Sequence, residues 1–291
     1  MSKEGINVLS LFDGMSCGQI ALERAGIKVN NYYASEIKKS AIKVTQYNYP
    51  DTIQLGDVNR LSINNLPEID LMIGGSPCQD FSQAKINGQG LDGDKSKLFY
   101  QYLRLKEQLK PKYFLLENVR MKKESEKQLN GYLNVQGLHI NSDLVSYQKR
   151  PRIYWTNIPN VSVPCDRNID FQNYIETDYN ICSKYKLNKT PSRERMWNSG
   201  KGRGDHYSCS NVTESKKVYC LTRKQDRCPN SGLIKIDDWC RYLTRNELEQ
   251  AQTVPKGYTD TVSYNQAQDL LGDGWTVDVI SHIFSGLKNS E

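Results

Sequence analysis

Four reactive side chains stand out between residues 78 and 152 of this chain. They are the thiol of Cys78, the carboxyl of Glu117 and the guanidinium groups of Arg150 and Arg152. Cys78 follows "LMIGGSP", three apolar residues running into a Gly-Gly-Ser-Pro turn, which puts it at the mouth of a strand. A cysteine there is packing filler, a metal ligand, a disulfide partner or a nucleophile. A free thiol carries little thiolate near neutral pH, and a helix start or a nearby cation raises that fraction. Pro77 fixes the backbone just before the thiol. Glu117 ends a second apolar run, "YFLLENV". In "QKRPR", Arg150 and Arg152 lie two positions apart on an extended segment, which predicts that both point to one side. Thiol, carboxyl and guanidinium converging on one cleft suit attack on an electron-poor ring that must be protonated and held.

The elements that would position these groups repeat one rhythm. "NVLSLF" reads as a strand, "DGMSCG" as a turn and "QIALERAG" as a short helix stopped by Gly26. "NNYYASEI" predicts a second strand, followed by a helix in "KKSAIKVTQYNY" that ends at Pro50. "TIQLGDV" predicts a third strand and "IDLMIGG" a fourth. "KLFYQYLRLKEQL" is an apolar-periodic helix closed by Pro111, and "YFLLENV" is a fifth strand. Alternating strands and helices imply βαβ units, hence an α/β fold with a mainly parallel sheet. Ligands in such sheets sit beyond the carboxyl ends of the strands, where Asp13, Glu36, Asp57, Cys78 and Glu117 all fall. The turn Phe12–Gly18 follows a strand and opens a helix, so its main-chain N–H groups can meet a ligand. It is neither a dinucleotide GxGxxG nor a P-loop. Glu36, at the end of strand two, is placed to grip ribose hydroxyls, which implies an adenosine-containing cofactor.

Further on, "HINSDLVSYQKRPRIYWTNI" predicts two strands flanking a basic turn. From about Val161 to Ile236, Gly, Ser, Asn, Lys and Arg dominate, and regular structure is expected to be weak. "WCRYLTRNELEQAQ" predicts a helix with Thr244 and Glu247 as a capping box. In the tail, Val277, Ile280, Phe284 and Leu287 share one helical face, expected to pack on the first domain. The 291 residues suffice for a sizeable core, and 18 Tyr and 4 Trp point to real packing despite a mean hydropathy of −0.68. A net charge of +6 fits a polyanionic partner. Met1–Val8 has no apolar secretory leader and no stretch approaches the roughly 20 apolar residues of a membrane helix, so a cytoplasmic chain with no membrane partner is expected. In that compartment the eight cysteines do not form a disulfide framework, and Cys209, Cys220, Cys228 and Cys240 lack the spacing of a zinc site, so no metal is expected.

Taken in order, these segments resemble the motifs of the DNA cytosine-5 methyltransferases, particularly the compact bacterial and phage-type members. "FDGMSCG" is similar to the first S-adenosylmethionine-binding motif, "SEI" and "GDV" to the next two, "GSPCQDFS" to the catalytic motif, and "KLF" to the fifth. "ENV", "QKRPRIYW", "LTRNELEQAQTVPKGYT" and "LLGDGWTVDVI" are similar to the later ones. The resemblance implies a Rossmann-like S-adenosylmethionine-dependent sheet with a small irregular target-recognition domain. Residues 1–160, completed by 241–291, would form the catalytic and cofactor-binding domain, and 161–240 the target-recognition domain.

The resemblance makes Cys78 the nucleophile, which adds to C6 of a cytosine flipped out of double-stranded DNA. Glu117 acts at N3, Arg152 holds the O2 edge, and Arg150 supports the loop or a phosphate. Cofactor binding would fall to Phe12, Asp13, Gly14, Ser16, Cys17, Gly18, Glu36 (ribose), Ile37, Asp57 (adenine amine), Val58, Pro77, Leu98, Asp273, Trp275 and Thr276. DNA binding would fall to Gln79, Ser82 and Gln89 near the nucleophile, and to Arg203, Arg223, Lys224 and Arg227 in the basic region. A glycine-bearing loop through Gly88, Gly90 and Gly93 could close over DNA.

Two departures stand out. Gly272-Asp273 replaces the family's frequent Gly-Asn, and Ala251 stands where a polar pattern is common. The expected roles are restriction–modification, with a cognate restriction endonuclease as partner, or protection of a phage genome, carried out by a monomer. The alternatives are methylation of cytosine in RNA, and a non-catalytic DNA-binding regulator on the same fold.

Overall fold

A computed structural model describes residues 5–75, 97–198, 210–223 and 231–290. By contacts the chain divides into two compact units. The first holds residues 1–141, 151–164 and 277–291; the second holds 142–150 and 165–276.

The first unit is built on a seven-stranded sheet. Its strands are β1 (Ile6–Leu11), β2 (Val29–Ser35), β3 (Ile53–Gln54), β4 (Leu71–Gly75), β5 (Tyr113–Val119), β6 (Leu138–Asn141) and β7 (Pro151–Thr156), in the order β3-β2-β1-β4-β5-β7-β6. β1 to β5 pair in parallel, and β7 runs antiparallel between β5 and β6. Parallel strands are covered on both faces, which is why β1 reads as an apolar run with Val8, Leu9 and Leu11 fully buried. The order reverses at β1 and β4, opening a crevice beyond the carboxyl ends of these two neighbours.

The helices follow the expected rhythm: α1 (Cys17–Arg24), α2 (Lys39–Asn48), α3 (Lys97–Leu109) and α4 (Lys123–Leu133). Phe99, Tyr102, Leu103 and Leu105 form the buried face of α3. α1 lies tight on the sheet: a Cβ at Gly18 would come within 2.6 Å of Ile73 Cδ1 and 2.7 Å of the Tyr32 hydroxyl. The last helix of the chain also belongs here. It runs Val277–Phe284, packs against α1, and buries Val277, Ile280 and Phe284 as its periodicity predicts, while Leu287 is buried in the 3-10 segment Ser285–Ser290 that follows.

The second unit holds the short helices α5 (Tyr179–Cys182) and α6 (Pro191–Asn198), the hairpin β8 (Leu233–Ile236) and β9 (Trp239–Tyr242), and the helices α7 (Arg245–Ala251) and α8 (Tyr264–Asp273), leaving α9 for Val277–Phe284. Both α7 and α8 begin with capping boxes, Thr244 with Glu247 and Ser263 with Gln266. The Glu247 carboxylate also takes two hydrogen bonds of 2.8 Å from Arg241, in a pair with almost no exposure.

Two expectations need correcting. "TIQLGDV" is not a full strand: only Ile53–Gln54 pairs, because Gly56 turns the chain with φ +73 and Asp57 caps a short 3-10 turn, Val58–Arg60. Trp239–Tyr242 is a strand rather than the start of a helix; it pairs with β8, and the helix waits for its cap at Thr244. By contacts, residues 142–150 and 241–276 cluster with the basic region, and only 277–291 rejoins the first unit. No helix among the described residues is long and apolar enough to cross a membrane.

Candidate active site

Among the described residues, the turn after β1 gathers three left-handed positions in five residues. Phe12, Gly14 and Ser16 alternate in the left-handed region, with φ of 57°, 60° and 59°. Only glycine adopts this at no steric cost; each of the others costs roughly 1–2 kcal/mol, a pattern that clusters at functional sites. Side chains hold the turn open. The Asp13 carboxylate accepts from Ser16 Oγ and, at 2.8 Å, from the Tyr32 hydroxyl. Glu36 Oε2 accepts from Gly14 N at 2.8 Å, while its Oε1 accepts from Ile37 N at 2.7 Å and Lys38 N at 2.8 Å. One carboxylate therefore ties the turns after β1 and β2 together. Burial pushes the Asp13 carboxyl up to about 6, against hydrogen bonds from Ser16, Ser10 and Tyr32 that lower it.

The other residues expected at this turn divide by what they expose. Ser16, Cys17 and Gly18 are buried, so they offer a ligand main chain only. Val58 is likewise committed to the core, and Phe12 and Leu98 pack against that core. Ile37 is the opposite, an apolar side chain 71% exposed beside Glu36. Asp57 Oδ1 accepts from Asn59 N and Nδ2, both at 2.9 Å.

At the neighbouring strand ends, Glu117 lies opposite Gly75 of β4 and Tyr154 of β7. Arg152 Nε meets Glu117 Oε1 at 2.9 Å, with side-chain exposures of only 12% and 11%. β7 starts at Pro151, so the alternation of an extended strand governs Arg152 but not Arg150. The residues expected at Pro77, Cys78, Gln79, Ser82, Gln89, Arg203, Lys224 and Arg227 lie outside the described residues.

In the second unit, Arg150 is a clamp. It is 3% exposed; its Nη1 donates to Leu221 O at 2.9 Å and Cys220 Sγ at 3.3 Å, and its Nη2 to Gly272 O at 3.0 Å and Gly274 O at 2.8 Å. All four terminal N–H donors are thus engaged, so of the two roles expected for Arg150, loop support or a phosphate contact, the contacts match loop support. Gln148 donates to Ala251 O at 3.0 Å and Gln252 Oε1 at 3.1 Å, and accepts from Leu221 N at 2.8 Å. Gln252 accepts from Thr276 Oγ1 at 2.8 Å and donates to the carbonyls of Leu271 and Gly274. Thr276, expected to bind cofactor, is buried in this network; Trp275 is half-buried. Asp273 Oδ2 lies 3.6 Å from Arg223 Nε. The sequence assigned no role to Gln148 and Gln252, although Gln148 stands in the same "QKRPR" run.

Among the described residues no group of His, Cys, Asp or Glu could hold a metal ion. Among the described residues Cys17, Cys165, Cys182, Cys220 and Cys240 are in no disulfide, and burial pushes the Cys240 thiol up to about 12.

Residues 6–154, just over half of the chain, match the family model for C-5 cytosine-specific DNA methylase. The chain belongs to this family. Among its curated relatives, the orphan methyltransferase M.Rho11sI of Bacillus phage rho11s is 38% identical over 122 residues, which cover 41% of this chain and 24% of that protein. The chain thus spans about a quarter of the length of the phage relatives it matches. The type II methyltransferase M1.ScrFI of Lactococcus lactis subsp. cremoris is 27% identical over 300 aligned positions, covering 95% of this chain and 76% of its own. The solved structure of the methyltransferase EhMeth from Entamoeba histolytica superposes with a TM-score of 0.75 over 99% of both chains, at 18% identity, and so shares the fold.

The family's methyl donor is S-adenosylmethionine. The turn fits it. A Cβ at Gly14 or Gly56 would meet nothing within 4 Å, so the backbone there faces open space after β1 and after β3, the strands on either side of β2. The Asp13 and Glu36 carboxylates suit an ammonium and ribose hydroxyls, and exposed Ile37 suits the flat face of a base.

Proposed function

We infer that the chain transfers a methyl group from S-adenosylmethionine to C5 of a cytosine in double-stranded DNA. The observation that carries this reading is the shielded pair of Glu117 on β5, the strand next to β4 that leads to Cys78, with Arg152 on β7. Gly75, opposite Glu117, precedes Cys78 by three positions.

The chemistry follows from the weakness of cytosine C5 as a nucleophile. Cys78 thiolate adds to C6, forming an S–C6 bond, while Glu117 supports the ring at N3 and Arg152 holds its O2 edge. The ring's electrons shift so that C5 becomes enamine-like. Asp13, the Gly14 main chain, Glu36, Ile37 and Asp57 would hold S-adenosylmethionine, which would supply a methyl group to C5 from its sulfonium, the S–CH3 bond breaking to leave the neutral thioether. Loss of the C5 proton and departure of the thiolate restore the aromatic ring. A base stacked inside a duplex is out of reach of the thiol, so the target cytosine is flipped out. The net charge of +6 favours a polyanionic substrate. A methylated host or phage genome would resist a cognate endonuclease, which gives the activity its role.

Labelled methyl transfer to duplex DNA and to tRNA, followed by bisulfite sequencing of DNA from expressing cells, tests this reading. Label in DNA, with one protected sequence context, is the expected result. Label confined to tRNA would overturn the substrate assignment, and no transfer to either would overturn the activity.

A further inference from the structure

Tyr32, on β2, is buried, yet it carries a hydroxyl into the core of the first unit. That hydroxyl donates to Asp13 Oδ1 at 2.8 Å, in the left-handed turn after β1. Asp13 Oδ2 accepts from Ser16 Oγ. Ser16 Oγ in turn accepts from Gln19 Nε2 at 3.2 Å and from Thr45 Oγ1 at 3.3 Å. A serine hydroxyl has one hydrogen and two lone pairs, so both acceptor places are filled and the hydrogen is committed to Asp13. Gln19 is itself anchored, donating to Thr52 Oγ1 at 2.8 Å. Each oxygen of the Asp13 carboxylate thus meets a hydroxyl that donates. These bonds favour the ionised form and oppose the burial that pushes the Asp13 carboxyl up to about 6. Ser10 on β1 lowers it as well, while the charge of Glu36, after β2, raises it. Gly18 leaves room for the arrangement, since a Cβ there would come within 2.7 Å of the Tyr32 hydroxyl.

We propose that Tyr32 is a positioning residue for the methyl donor: its hydroxyl keeps the Asp13 carboxylate ionised and fixed in the turn, where that carboxylate takes the donor's ammonium. This rests on the methyltransferase reading. It gives donor affinity an acid limb, set by a buried phenol that works only through the carboxylate.

The test uses Tyr32→Phe, Asp13→Asn and the double variant in the full chain. Binding of S-adenosylmethionine and of S-adenosylhomocysteine is read by calorimetry between about pH 5 and pH 7.5, a window in which the ligand's ammonium keeps its proton. Urea titration of the donor-free chain covers the same window. Wild-type affinity is expected to fall as pH drops through about 6. Tyr32→Phe moves that limb up by about one pH unit, the loss of one hydrogen bond to a charged group, and its affinity approaches that of wild type at the top of the window. Asp13→Asn binds weakly throughout and shows no such limb, and adding Tyr32→Phe to it weakens binding no further. S-adenosylhomocysteine behaves alike, because it keeps the ammonium and lacks the sulfonium. In urea, Tyr32→Phe moves the Asp13-dependent loss of stability to higher pH by the same amount.

A Tyr32→Phe chain that loses affinity or stability equally at every pH would mean that the hydroxyl only fills space, and would overturn the proposal. So would an acid limb that persists in Asp13→Asn. A limb seen with S-adenosylmethionine but not with S-adenosylhomocysteine would place the sulfonium, not the ammonium, at Asp13. Failure of the wild-type chain to bind either ligand at any pH is a separate result: it strikes the methyltransferase reading, while the urea profiles still decide whether Tyr32 acts on Asp13.

Discussion

Replacing Glu117 by Gln removes one half of a shielded ion pair while leaving shape and hydrogen-bonding capacity nearly unchanged. At 2.9 Å, and with an effective dielectric constant of about 20, the attraction between Glu117 and Arg152 is of order 6 kcal/mol before desolvation is subtracted. Both side chains are almost out of water, so desolvation takes back most of that gain. A net stability loss of about 1–3 kcal/mol is expected, because Arg152 keeps its charge and loses its carboxylate. Activity should fall much further. A group that supports the ring only in the transition state contributes roughly 10²–10⁴-fold, or about 3–5 kcal/mol of barrier. The two effects separate in single-turnover methyl transfer at saturating DNA and donor, with the folded fraction measured by urea titration of the same preparation. The expected variant is more than nine-tenths folded without urea, binds donor normally, and transfers methyl at least a hundredfold more slowly. A variant with near-wild-type transfer, or with a rate loss no larger than its loss of folded protein, would refute the assignment of Glu117 to the chemistry.

Other outcomes follow from the same structure. Gly18→Ala forces a methyl group against Ile73 and the Tyr32 hydroxyl that supports Asp13; a loss of about 1–3 kcal/mol in urea titration, with weakened donor binding, is expected. Glu247→Gln leaves Arg241 charged and almost wholly buried, and should cost about 3–5 kcal/mol in the second unit, read by its urea transition. The Asp13 carboxyl is raised from 3.8 to about 6, so the folded state holds its proton more tightly than the unfolded state does. The stability this confers is complete below about pH 4 and is lost as pH rises through 6. Asp13→Asn should therefore gain stability relative to wild type between pH 4 and pH 6.5, measured by urea titration at each pH; an unchanged difference across that window would contradict the burial argument.

What could be read in the sequence depended on how local its cause was. β1, β4 and β5 are legible because a strand buried on both faces must be apolar, and Leu9, Met72 and Leu115 all have zero exposure. Glu36 and Glu117 were legible as polar residues ending such runs. The tail helix was legible from four apolar positions on one face. β9 was not, since Trp239–Tyr242 runs straight into a genuine helix start and only its pairing with β8 makes it extended. The partners of Arg150 were not legible for a different reason. Leu221, Gly272 and Gly274 lie 71 to 124 positions away, and no local pattern announces a carbonyl clamp. The same buried network of Gln148, Arg150 and Gln252 groups residues 142–150 with the second unit. The left-handed Phe12 and Ser16 lay beyond reach as well, since neither residue type favours that conformation.

The central claim is that Cys78 forms a bond to cytosine C6 during methyl transfer. Its most direct measurement is the intact mass of the protein after incubation with S-adenosylmethionine and a duplex carrying 5-fluorocytosine at the methylated position, where fluorine in place of the C5 proton blocks the final elimination. The account predicts a species heavier by the methylated oligonucleotide, with the added mass on Cys78, and none with Cys78→Ser. Methylation of the ordinary duplex without any such adduct, or by the Cys78→Ser variant, would contradict it.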